Sequence, residues 1–125
     1  MMDIQHKQNL ARVADMGLEA CAIRLRAALI FTGLRQMDMA NEAGISKTVL
    51  NNAIGGLTYP SRDVMVYLYR AHRIDFNFIL HGDFAQLPGD VQDRLFPALE
   101  AATNEWDRKE RSGRGQEKSK SSQAI

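Results

Sequence analysis

Apolar and polar positions separate most cleanly over the stretch from Arg35 to Gly56, RQMDMANEAGISKTVLNNAIGG. On a helical wheel stepped at about 100° per residue, Lys47, Asn51, Thr48 and Asn52 fall within roughly a 140° arc. Leu50, Ala53, Ile54 and Leu57 collect on the opposite side. One face therefore seeks a core, and the other carries short hydrogen-bonding groups and a cation. The same period predicts a helix from Leu18 to Phe31, with Ala22, Leu25, Ala28 (or Leu29) and Thr32 on successive turns, and another from Arg35 to Ala43. A further helix follows Ser61, its stripe made by Val64, Leu68 and Ala71 with Tyr67 and Ile74 at the edges. Asp75 opens a short helix in which Phe76, Ile79 and Leu80 are expected to seal the core. No segment alternates as a strand does, so the expected class is all-α.

Punctuation agrees with these elements. Gly44 can take the left-handed conformation that stops a helix, Ile45 can turn back to the core, and Ser46 can cap the helix that follows. Ala40 leaves room for a second helix to cross the first. The stretch GGLTYP breaks the pattern after Ile54, and Ser61 and Asp63 suit the start of the next helix. Together Arg35–Ile54 read as a helix-turn-helix with a turn of three to four residues.

This pattern resembles the phage-repressor (lambda repressor and Cro) type of helix-turn-helix domain over about Leu18 to Gly82. Gln36 opens the second helix, Ala40 and Gly44 occupy the small-residue and turn positions, and Lys47, Thr48, Asn51 and Asn52 match the polar recognition positions. Gly56 ends the reading helix, and Tyr59, Pro60 and Ser61 lead into the fourth. Two departures remove a phosphate contact: position 54, often charged in that family, is Ile, and position 55, often basic, is Gly. The resemblance implies a five-helix domain whose third helix, residues 46–55, enters the major groove. It also implies a homodimer on a palindromic operator, acting as a transcriptional repressor in a prokaryotic cytoplasm.

Each recognition position has chemistry that fits this expectation. Lys47 can address guanine O6 and N7, Asn51 and Asn52 adenine N6 and N7, and Thr48 a phosphate or a thymine methyl. Asn costs several tenths of a kcal/mol relative to Ala inside a helix, so two in succession on an exposed face call for a use. Ser46 stands at the helix start, and Gln36 points toward a phosphate from the head of the preceding helix. Arg35, Tyr59 and Arg62 complete the candidate DNA contacts.

Charge distribution sharpens the division of the chain. The formal net charge is only +1. From Ala20 to Gly82, however, seven bases face four acids, a net of +3, whereas Asp83 to Trp106 has one base and five acids, a net of −4. The expected organisation is an N-terminal extension over 1–17, with a short helix broken at Gly17, and the DNA-binding domain over 18–82. A helical extension over 83–110 and a disordered tail over 111–125 complete it. Asp90 is placed to cap a helix from Val91, which Pro97 must kink or restart. Its stripe of Val91, Leu95, Leu99, Ala102 and Trp106 serves either the chain's own domain or a dimer contact. A helix-turn-helix antitoxin or protein-interaction adaptor, gripping a partner protein through this extension, is the alternative function.

Other chemistries find little purchase. A lone Cys21 fits a buried, inert thiol in a reducing compartment. His6, His72 and His81 are scattered, without metal-ligand spacing, and no nucleophile triad or phosphate loop is readable. No cofactor, metal, catalysis or small-molecule ligand is expected. No apolar run approaches the ~18 residues a membrane span needs, and no secretory signal is readable, so a cytoplasmic protein is expected.

Overall fold

The computed structural model describes residues 2–124, with side chains described for residues 2–111. Its described residues form helices and no strand: α1 (Ile4–Ala11), α2 (Leu18–Thr32), α3 (Gln36–Ala43), α4 (Lys47–Ile54), α5 (Arg62–His72), α6 (Phe76–His81) and α7 (Gly89–Ala124). Short polar side chains set the starts. Asp3, Ser46, Ser61 and Asp75 each accept from the backbone N–H three residues on, satisfying a donor that the first turn leaves unpaired.

The core is organised around α2. Every residue from Ala20 to Ala28 is buried, which is what a helix apolar on nearly all sides requires. The exceptions in its sequence, Arg24 and Arg26, are buried too. Arg24, with no exposure at all, donates through Nε to Ala11 O at 2.8 Å and through Nη1 to Ile79 O at 3.3 Å. Its Nη2 donates to the carbonyls of Arg12 and Asp15. These carbonyls come from the end of α1, the loop after it and the end of α6, where helices leave acceptors unpaired. One guanidinium thus binds three parts of the chain. Burial pushes its pKa below the ordinary arginine value, partly offset by Cys21 and Asp15. Burial likewise pushes the Cys21 thiol up, against the opposing pull of Arg24.

Gly82 makes that junction possible. Its φ is +85°, and a Cβ there would sit 2.5 Å from Ala11 O and 2.8 Å from Arg24 Nη2. Only glycine offers both the conformation and the room.

The α7 helix closes the other side of α2, running antiparallel to it. Arg94 donates to Phe31 O at 2.9 Å and stacks on the Phe31 ring, while twelve residues later Trp106 Nε1 donates to Glu19 at the opposite end of α2. Val91, Leu95, Phe96 and Leu99 are buried, each contributing roughly 1.5–3 kcal/mol of transfer free energy. The stripe expected to serve either the chain's own domain or a dimer is therefore used within the chain. Pro97 lies inside this helix, which runs on through it. Pro97 removes the N–H that would bond the Asp93 carbonyl, and both residues are exposed. The backbone stays helical to Ala124, where disorder is expected from residue 111 on sequence grounds; the side chains beyond 111 lie outside the described residues.

Several local expectations are corrected. Asp90 sits in the first turn of α7 and pairs with Arg73 across to α5 instead of capping the helix. Ala71 is exposed, and α5 buries Val64 and Leu68, with Ile74 following. In α6 the core residue is Phe78, not Phe76, which lies 40% exposed and edge-on to Tyr69. Leu57 lies 73% exposed, because α4 ends at Ile54 and the apolar side of the wheel ends with it.

Candidate nucleic-acid interface

The α3–α4 pair is built by local chemistry. Gly44 takes φ +72°, and the Ile45 N–H returns to Ala40 O at 3.0 Å, closing the end of α3. Ala40 is buried beneath the crossing. Ser46 Oγ then accepts from the Val49 N–H at 3.1 Å and starts α4, which leaves its hydroxyl proton free to donate. Capping is therefore the contact Ser46 makes within the chain. By contrast α3 begins at Arg35 with no side-chain cap, so its first-turn N–H groups have no side-chain acceptor. An anion is a natural partner for such groups.

Leu50, Ala53 and Ile54 bury one side of α4. On the other side Lys47, Thr48 and Asn51 are exposed, and Asn52 is half-buried at the margin. Gln36 Nε2 donates to Asn51 Oδ1 at 3.2 Å, bracing the head of α3 against the middle of α4. That fixes the Asn51 amide plane with its NH2 pointing away from the shared bond. The remaining candidates stand apart. Arg35 is 87% exposed with its Nε 3.2 Å from Asp38, and Arg62 is 84% exposed beside Asp63 at 3.7 Å. Tyr59 is exposed on the loop before α5. Among the described residues no hydrogen bond or ion pair ties these three to the α4 set.

The charge map needs a correction. Two of the seven bases of 20–82, Arg24 and Arg26, are withdrawn into the core. Five bases then face four acids over that stretch, a surface net of +1. Lys47 makes no ion pair among the described residues, so the cation on α4 is unneutralised. Sequence reasoning also passed over Val49, 43% exposed on α4 beyond Asn52, an apolar group suited to a thymine methyl. Its β-branched, core-like type hid it.

Arg26 links this helix to the rest. Its Nη2 donates to Ile54 O at 3.1 Å, at the end of α4. Its Nη1 lies 3.7 Å from Glu105, and the guanidinium lies over the Trp106 ring of α7. A Cβ on Gly56 would come within 2.9 Å of the Trp106 ring. Helices α4 and α7 therefore share one buried cation.

Comparison with protein families, characterised proteins and solved structures returned no match to this chain. Among the described residues no group of three or more His, Cys, Asp or Glu is arranged to hold a metal ion, and no helix is long and apolar enough to cross a membrane.

Proposed function

We propose that this chain is a sequence-specific, double-stranded DNA-binding transcriptional regulator of the lambda-repressor helix-turn-helix type, with α4 seated in the major groove. One observation carries the reading: α4 presents Lys47, Thr48 and Asn51 to solvent on a helix whose opposite side is locked into the core, with Asn51 braced by Gln36. A reader helix needs side chains held in fixed positions relative to the bases, because a bidentate contact tolerates little displacement. The uncapped head of α3 supplies a phosphate anchor beside it. Repression from a homodimer on a palindromic operator belongs to the same proposal. Such a dimer pairs through a surface other than the 91–102 stripe, which the core consumes. A partner-protein role through residues 83–110 faces the same constraint, so the antitoxin reading gains no support from the fold.

Selection of duplexes from a random library by the full chain, at a stated salt concentration, tests the reading. An enriched motif is expected, and Asn52→Ala should lose about 1–3 kcal/mol on it and relax choice at one base pair. Indifference of the chain to sequence, with the variant matching its parent on selected and scrambled duplexes alike, would remove groove reading by α4.

A further inference from the structure

The α4 helix ends in Ile54 and Gly55, which offer no cation to the phosphates that a groove-bound helix passes at its carboxyl end. Cations from other parts of the chain stand nearby. Beside that end lies a cleft lined by Arg26, Glu105, Arg108 and Lys109. Three bases against one acid give it a net of +2. Its floor is fixed to α4, because Arg26 donates to Ile54 O at 3.1 Å and Trp106 lies against Gly56. Arg26 is buried to the point that only 9% of its side chain is accessible, and its Nε has no hydrogen-bond partner. Arg108 and Lys109 are exposed at the rim and make no ion pair among the described residues. The one acid of the cleft is already engaged by Arg26 at 3.7 Å.

The geometry points to this cleft as a second DNA contact, taking a backbone phosphate that flanks the bases read by α4. The inference rests on groove reading by α4 and adds to it a clamp supplied by α7. Arg26 fixes the local potential and holds the end of α4, while Arg108 and Lys109 reach the phosphate. Arg111, also exposed, stands one turn beyond Arg108 on the same helix. Binding here carries no base information, so it strengthens attachment to any duplex equally.

The test uses the full chain and its Arg108→Gln/Lys109→Gln double variant. Both side chains are exposed, so the fold is retained; far-UV circular dichroism verifies this. Affinities for a duplex selected by the parent and for its scrambled counterpart are measured across a salt series by fluorescence anisotropy. Each lost phosphate contact lowers the slope of log K against log salt by about 0.9, so the double variant should lose about 1.8 if both cations meet phosphates. Its affinity falls on both duplexes by the same factor, leaving their ratio unchanged. An unchanged slope in a parent that binds the selected duplex overturns the clamp and leaves groove reading intact. A parent that binds neither duplex overturns both. Quenching of Trp106 fluorescence by inorganic phosphate at constant ionic strength, with no change of slope, would assign the cleft to a small anion and also overturn the clamp.

Discussion

Replacing Arg24 by Met keeps most of the buried stem and removes the guanidinium. Four carbonyls then lose their bond from the guanidinium: Ala11, Asp15, Ile79 and Arg12, the last of which still accepts from the Asp15 N–H at 3.0 Å. The bonds to Ala11 and Ile79 are fully buried, whereas those to Arg12 and Asp15 are partly buried, and water can replace the donor there. An unsatisfied buried acceptor costs about 1–3 kcal/mol, so the two buried carbonyls alone set a loss of roughly 2–6 kcal/mol. Relief from burying a charge offsets part of this, and a net loss of about 3–4 kcal/mol is expected. With a urea slope of about 2 kcal/mol/M, the unfolding midpoint should fall by roughly 1.5–2 M. Arg24→Lys supplies the internal check. An ammonium is a compact point charge that cannot fork toward α1 and α6 together, so Lys should recover little of the loss. Equilibrium unfolding followed by circular dichroism measures all three chains. A Met variant within about 1 kcal/mol of its parent, or a Lys variant as stable as Arg, would refute the claim that the guanidinium fork holds these segments together.

Two further outcomes follow from the same coordinates. Gly82→Ala combines a left-handed backbone, costing about 1–2 kcal/mol, with a 2.5 Å approach to a backbone carbonyl that cannot swing away. Gly44→Ala has a similar φ but nothing within 4 Å, so it should cost only that backbone contribution of about 1–2 kcal/mol, and equal losses in thermal unfolding would contradict the crowding at Gly82. The Asp90 carboxyl is held below the ordinary aspartate range by its hydrogen bonds from Arg73. Its pair therefore stabilises the fold above the unfolded aspartate pKa, and that contribution is lost as pH falls through the lower folded value. Carboxyl titration by NMR should show Asp90 protonating late on acidification and returning to the ordinary range in Arg73→Gln.

Short-range chemistry explains why some features can be read before any coordinates are known. The bounds of α4 follow from Ser46 before it and two glycines after it, and its outward face from a two-turn pattern. Nothing in that pattern needs a distant partner. The fate of Arg24 and Arg26 does. Their acceptors lie 9 to 55 residues away, and a charged residue on an apolar helix reads as surface until those carbonyls are found. Similarly, Gln36 and Asn51 each look like isolated polar residues, and their bond spans the turn between two helices. In α6, six residues are too few for periodicity to choose between Phe76 and Phe78, and packing against α2 decides it. The stripe of α7 is plain in the sequence, but its destination is a tertiary fact.

That destination makes α7 a keystone. Helices of this length could be supposed to lift away and expose a binding face without harm to the rest. Here, lifting α7 would expose Val91, Leu95, Phe96 and Leu99, a loss comparable with the whole ~5–15 kcal/mol that holds an ordinary domain folded. It would also take Trp106 from above Arg26, which holds the end of α4. Any factor that prised this helix loose would therefore erase the outward face of α4 by unfolding it. Protease susceptibility, rather than a rearranged complex, would be the sign of its action.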